Sequence, residues 1–224
     1  MEEKSNGSEI ISRKLLRLGA LAAIVAIALP VFFGYGHRHV FDPVELQELA
    51  KRGIEQGKGN STLVISSVTE LVKERYGDHI FDSPRWMFNN AGGAMGTMLV
   101  LHCSLSEYLI IFGTPLGTEG HTGRFMADDF FTMIVGEQWA ALSKAPLREV
   151  YAPGDQHHLP RGVSKQYRCP GECWALEYAR GSIVSMLPFG FADTFTSTLD
   201  FVSLLETIQV SAGGILRELL RGKV

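Results

Sequence analysis

The sequence is short of cysteine, of net charge and of the loops that carry nucleotide or hydrolase chemistry. Three cysteines cannot all pair within the chain, and an odd count argues against a disulfide scaffold. A formal charge of -3 over 224 residues leaves no basic surplus for a phosphate backbone, which argues against a nucleic-acid partner. There is no G-x-S-x-G elbow and no P-loop, so the commonest hydrolase and nucleotidase readings fall away. The glycine-rich run Asn89-Asn90-Ala91-Gly92-Gly93-Ala94-Met95-Gly96 lacks the G-x-G-x-x-G spacing and sits in no βαβ unit, so close packing explains it better. No internal repeat or low-complexity tract is present.

What the chain does have is apolar residues, 46% of the total, and one long apolar run. Leu15 to Tyr35 is interrupted only by Arg17 and Pro30 and matches the ~20 residues that cross a bilayer as helix. Phe32, Phe33 and Tyr35 fit a signal-peptidase site poorly, so an uncleaved anchor is expected rather than a signal peptide. Arg13, Lys14 and Arg17 before the run outweigh Arg38 and the mostly neutral His37 and His39 after it. The positive-inside rule then leaves residues 1–14 as a short cytosolic tail, 15–35 as the span and 36–224 as a lumenal domain. Asn60-Ser61-Thr62 is a glycosylation sequon that only a lumenal domain could use.

Beyond the span, Asp42-Pro43-Val44-Glu45 reads as a helix start, with Asp42 as cap, Pro43 in the first turn and Glu45 completing a capping box. That helix is expected to run to roughly Lys51, with a glycine-containing loop to Ser61 and a second helix over Thr62 to Tyr76. The runs Ser106 to Phe112, Val163 to Cys169 and Trp174 to Tyr178 alternate or are rich in aromatic and branched residues, between Gly/Pro turns. They read as strands of a compact β-barrel. From about Thr196 to 224, apolar residues at helical spacing around Gly213-Gly214 predict two closing amphipathic helices, packed across the barrel mouth or lying at a membrane interface. The fold class expected is thus mainly β with helices. Cys169 and Cys173 bracket the turn Pro170-Gly171-Glu172 and are either bonded across a hairpin or free and buried.

The strongest chemical signal is Trp174-Ala175-Leu176-Glu177-Tyr178-Ala179-Arg180-Gly181. Alternation puts Glu177 on one face with Ala175 and Ala179, and the bulky residues on the other. If the small face looks inward, a lone carboxylate sits in an apolar cavity, holds its proton tightly and becomes a general acid or base. An outward Glu177 paired with Arg180 or Lys165 is equally consistent. Asp128 and Asp129 lie among aromatics, and one of them can meet Glu177 inside the barrel, the two carboxylates splitting their proton affinities. His157 and His158 are adjacent and would point to opposite faces of a strand, His37-x-His39 lies beside the span, and His102 and His121 are single. A metal is therefore the weaker alternative, and neither metal nor cofactor is expected.

The block Trp86 to Gly123, with Ser104-Leu105-Ser106-Glu107-Tyr108 and Gly117-Thr118-Glu119-Gly120-His121-Thr122-Gly123, resembles the fungal-type C-8 sterol isomerases and their animal relative, the sigma-1 receptor. Tyr151-x-Pro153-Gly154-Asp155, Ala175 to Gly181 and Phe191-Ala192-Asp193-Thr194-Phe195 extend the resemblance over nearly all of the chain beyond Phe41. It implies a cupin-like β-barrel around a buried ligand site, C-terminal helices against an endoplasmic reticulum membrane, a trimer as in the animal receptor, and hydrophobic amines as inhibitors. It places Glu177 on the receptor's amine-binding carboxylate and Tyr108 on the tyrosine that orients it; Met98, Phe112, Leu187 and Phe189 are expected to bind the sterol. The receptor's second carboxylate falls on Phe131 here, so the partner acid must be Asp128 or Asp129, and alternation favours Asp129. The implied activity is transfer of the sterol B-ring double bond from C8 to C7 by carboxylate acid/base chemistry. The alternative is a ligand-binding receptor without turnover.

Overall fold

The computed structural model describes Lys14, residues 16–19, Ala22 and residues 38–223. The tail 1–14 and the span 15–35 therefore lie almost entirely outside the described residues. Among the described residues no helix is long and apolar enough to cross a membrane.

Helix α1 (Pro43–Gly57) starts where the sequence places it: the Asp42 carboxylate accepts from the amides of Val44 (2.9 Å) and Glu45 (3.0 Å), and Pro43 occupies the first turn. Only the Asp42 half of the expected capping box forms. Glu45 instead reaches the Arg75 guanidinium (2.5 Å) and the Tyr76 hydroxyl (2.9 Å) on helix α2 (Ser61–Tyr76). Nor does α1 stop near Lys51. Its later glycines, read as loop formers, are buried where the two helices touch: a Cβ on Gly53 would lie 2.4 Å from Val68 Cγ2, and one on Gly57 2.3 Å from Val64 Cγ2. Only glycine permits this approach, and the connection shrinks to residues 58–60.

The strands form two antiparallel sheets. Taken in chain order they are β1 (Trp86–Ala91), β2 (Ala94–Cys103), β3 (Glu107–Thr114), β4 (Thr118–His121), β5 (Ala127–Val135), β6 (Gln138–Ala141), β7 (Glu149–Tyr151), β8 (Gln156–Leu159), β9 (Gln166–Cys169) and β10 (Cys173–Gly181). One sheet has the order β1-β2-β3-β10-β5-β8 and the other β4-β9-β6-β7. The glycine-rich run is the β1–β2 hairpin. Gly92 and Gly93 (φ 63° and 82°) make its two-residue turn, a conformation that glycine adopts without strain.

Period-two alternation divides the larger sheet into two faces. Leu99, Leu101, Leu109, Ile111, Phe130, Leu176 and Tyr178 join α1 and α2 in one core. Met98, Val100, Ile110, Phe112, Met133 and Ala175 join Tyr167 and Cys169 of the smaller sheet in the other. The two sheets thus face each other and enclose the barrel interior. Cys169 and Cys173 form a disulfide. It does not bridge a hairpin: β9 and β10 belong to different sheets, and the bond ties one to the other.

The two C-terminal helices expected over about 196–224 are one. A short helix α3 (Leu187–Asp193) and a wide turn (Thr194–Thr198) lead into an uninterrupted α4 (Phe201–Leu220). Gly213-Gly214 does not break it because Gly214 is a contact point: a Cβ there would meet Phe81 Cζ at 2.6 Å and the Cys103 carbonyl at 2.9 Å.

Candidate active site

The sheet register builds the site. On the inward face of the larger sheet, β10 lies between β3 and β5, so its inward residues each have two flanking partners. Ala175 lies between Phe112 and Met133, Glu177 between Ile110 and Phe131, and Ala179 between Tyr108 and Asp129. Glu177 is thus bracketed along its strand by two alanines and across it by apolar side chains. Asp129 is its diagonal neighbour on β5, at the roughly 7–8 Å spacing that long side chains can close. The reading of Glu177 as an outward residue paired with Arg180 or Lys165 is therefore set aside. Lys165 instead bonds Glu149 (2.5 Å), and the Arg180 guanidinium lies over the Phe130 ring, 5.1 Å from its centroid.

These residues face a cavity of about 1120 Å³, counting its mouth. Met98, Tyr108, Phe112, Asp129, Glu177, Leu187 and Phe189 all line it. Phe125 and Phe131 line it too, and the smaller sheet contributes Tyr167 from across the barrel. Helix α3 covers the mouth: Phe189 packs edge-on against Phe125 (5.3 Å between ring centroids), and the Asp193 carboxylate accepts from the Gly93 amide (2.8 Å).

Burial raises the proton affinity of the Glu177 carboxyl from its ordinary 4.5 to about 8. Asp129, 1% exposed, is raised well above the carboxylate range, first by burial and then by the negative charge of Glu177; its Oδ1 has no hydrogen-bond partner among the described residues. Two carboxyl groups enclosed this way cannot both be charged at neutral pH, so the pair holds at least one proton. Burial, reinforced by the nearby acidic groups, also keeps the Tyr108 phenol protonated, and its hydroxyl donates to Met98 Sδ at 3.2 Å. The site therefore holds two carboxyl groups that share at least one proton, Glu177 titrating nearer to neutral pH than Asp129, and a phenol in an apolar enclosure.

Asp128 is a correction. Adjacent residues of a strand point to opposite faces, so with Asp129 inward Asp128 points out, where it accepts from the Arg161 amide (3.2 Å) and meets His158 Nε2 (3.1 Å). Tyr167 is a cavity residue the sequence reading did not single out, although the alternation of Val163 to Cys169 placed it on a strand. Glu107 was also missed as a buried acid. It accepts from the amides of Val40 (2.8 Å) and Phe41 (3.0 Å) and from the Tyr178 hydroxyl (2.7 Å), and pairs with Lys223 Nζ (2.5 Å). Burial works to raise its proton affinity, but Lys223 and the two amides overcome this and hold it low. It ties the segment before α1 to Lys223, beyond α4, and does not line the cavity.

Of the histidines considered as metal ligands, His157 points inward to Lys165 Nζ (3.0 Å) and His158 outward, as adjacent strand residues must. His121 lines the cavity and accepts from the Gly123 amide through Nδ1 (2.9 Å), while His37 lies outside the described residues. The one metal-type cluster among the described residues is His79, His102 and Glu218, outside the cavity.

Known proteins resemble the chain over most of its length. The chain is 48% identical over 213 residues to the C-8 sterol isomerase erg2 of Aspergillus fumigatus, covering 92% of this chain and 89% of that one. It is 43% identical over 224 residues to the C-8 sterol isomerase ERG2 of Gibberella zeae, covering 99% and 94%. The sigma non-opioid intracellular receptor 1 of Gallus gallus is more distant, at 36% over 211 residues (91% and 92%). An RmlC-like cupin from Shewanella frigidimarina is similar in structure over 48% of this chain and 89% of its own, with 15% identity and a TM-score of 0.37, a likeness too slight to carry an argument. The family model described as "ERG2 and Sigma1 receptor like protein" matches residues 17–223, and the chain belongs to that family.

Proposed function

We propose that this chain is a C-8 sterol isomerase, which moves the sterol B-ring double bond from C8=C9 to C7=C8. The observation that carries the reading is the pair of carboxyl groups, Glu177 and Asp129, on one face of an apolar cavity, at least one of them protonated at neutral pH. The protonated member gives its proton to C9, and the π electrons leave a tertiary cation at C8. The ionised member then takes a proton from C7, and that C–H pair becomes the C7=C8 bond. Atoms and charge balance with no external reductant or oxidant, and the pair ends with the same proton count.

The enclosure favours the cationic intermediate over the neutral sterol. A carboxylate about 4 Å from a unit positive charge is worth about 4 kcal/mol at an effective dielectric of 20. The rings of Phe112, Phe131 and Tyr167 offer further faces to positive charge. Walls of methionine, isoleucine and phenylalanine keep water from quenching the cation. An ammonium compound of sterol-like shape would mimic the intermediate, so hydrophobic amines are proposed as inhibitors.

The membrane placement is proposed with it: an anchor over 15–35, a cytosolic tail, a lumenal domain in the endoplasmic reticulum and α4 against the bilayer. Val202 (70% exposed), Leu205 (57%) and Leu220 (82%) on α4 support the last point, because the helix leaves much of its apolar surface uncovered. A trimeric assembly is part of the same proposal, drawn from the resemblance to the animal receptor.

The test is turnover of a Δ8 sterol by purified protein in D2O. Δ7 product carrying deuterium at C9 is the expected result. Absence of product from folded protein that still binds hydrophobic amines would move the assignment to a receptor without turnover.

A further inference from the structure

We infer that His79, His102 and Glu218 form a binding site for a divalent transition metal of the zinc type, outside the sterol cavity, which clamps α4 to the barrel. The three come from separate elements: His79 from the turn Gly77–His79, His102 from β2 and Glu218 from the last turn of α4. One ligand atom from each lies within 4.8 Å of the others.

The decisive group is His102, which is fully buried. Its Nδ1 lies 2.8 Å from the His79 carbonyl oxygen. A carbonyl can only accept, so Nδ1 carries the hydrogen and Nε2 presents a bare lone pair. No hydrogen-bond partner reaches that nitrogen among the described residues. A neutral imidazole whose other nitrogen is held by a backbone carbonyl is the state in which histidine binds metal.

Glu218, 1% exposed, is oriented in the same sense. Arg221 (3.2 Å) and Arg217 (3.6 Å) take Oε1, which leaves Oε2 to face His79 Nδ1 at 2.9 Å. A metal would replace the proton between that nitrogen and that oxygen. Metal–ligand bonds of about 2.1 Å in a tetrahedron set ligand atoms about 3.4 Å apart, so the cluster must tighten. His79, partly exposed on a short turn, is the member free to move. Two imidazoles and one carboxylate leave a fourth position for water and select zinc-like ions over calcium or magnesium. The arginines oppose the cation's charge. They are partly exposed and tied to the carbonyls of Asp78 and Ile80, so solvent screens them and imidazole ligation must supply the affinity. Since α4 also presents Thr207, Ser211 and Ile215 to the cavity, and Cys103 beside His102 lines it, the clamp would fix one cavity wall.

The test is calorimetric titration of chelator-treated, untagged full-length protein with Zn²⁺, and with Co²⁺ read by its visible absorption. One ion per chain is expected. His102→Gln and Glu218→Gln should each weaken binding by more than 10-fold, and His158→Ala should leave it unchanged. If the buried variants fail to fold, His79→Ala, at a partly exposed position, should show the same loss. Folded wild-type protein that takes up no stoichiometric metal, or uptake that survives His79→Ala, would overturn the site.

Discussion

Replacing Glu177 by glutamine should make the protein more stable and nearly inactive at once. The side chain keeps its shape and loses its charge. The folded carboxyl titrates at about 8 against an ordinary 4.5, so between those values the folded state binds more protons than the unfolded chain, and stability falls as pH rises. Glu177 is fully compatible with folding below about pH 4.5 and most costly above about pH 8. At about 1.4 kcal/mol for each pH unit above the ordinary value, the cost at pH 7 is roughly 3 kcal/mol. Glu177→Gln removes it, and the gain should shrink towards nothing at pH 4.5. For catalysis, loss of a proton-transfer group costs about 10²–10⁴ in rate, and loss of about 4 kcal/mol of cation stabilisation is itself about 10³. A fall in kcat of at least about 10³ is therefore expected. Paired denaturation curves at pH 5 and pH 8, with Δ8-sterol turnover on the same preparations, check both halves. Unchanged turnover would refute the catalytic role. A variant equally or less stable than wild type at pH 8 would refute the burial argument on which that role rests.

Asp129→Asn should also remove turnover, and the upper limb of any residual pH–rate profile should move to lower pH, because the group raised by both burial and the Glu177 charge is gone and only Glu177, at about 8, is left to titrate. Asp128→Asn, on the outer face with His158, should leave kcat within about 3-fold of wild type; a loss matching that of Asp129→Asn would invert the strand-face assignment. Gly53→Ala should destabilise by about 1–3 kcal/mol in chemical denaturation, since its Cβ would meet Val68 at 2.4 Å. Reducing the Cys169–Cys173 bond, or Cys173→Ser, should cost about 2 kcal/mol by chain-entropy reasoning for so short a loop, seen as a lower denaturation midpoint under dithiothreitol.

Strand alternation was the most informative part of the sequence because it is local. Ala175-Leu176-Glu177-Tyr178-Ala179 fixes which side chains share a face without any knowledge of the partner strand, and Asp129 follows from Phe131 in the same way. Tertiary contacts defeated local reading elsewhere. Gly53 and Gly57 look like loop formers along the chain, yet they are helix residues made necessary by Val64 and Val68 on the next helix. Gly214 looks like a helix break, yet it is where α4 touches Cys103. Glycine carries two meanings, conformational freedom and absence of bulk, and only the neighbour decides which applies.

The same limit explains what was missed in the sites. Whether Glu177 faces in or out depends on what covers its strand, and the sequence left the two readings equal; the covering elements, α1 and α2 on one face and the smaller sheet on the other, decide it. His79, His102 and Glu218 stand far apart in the chain, so no spacing rule can find them, and each alone reads as an ordinary structural polar residue. What draws attention to them is an unmet requirement, a buried nitrogen with a lone pair and no donor. Asp129 Oδ1 carries the same mark inside the cavity, where it belongs to the proposed chemistry. Native interiors leave few polar atoms unpartnered, so each one asks what the protein keeps it for. At Asp129 the answer we give is a proton and a carbocation, and at His102 a metal; Asp129→Asn with its turnover lost and its Zn²⁺ binding retained would show that the two atoms serve separate ligands.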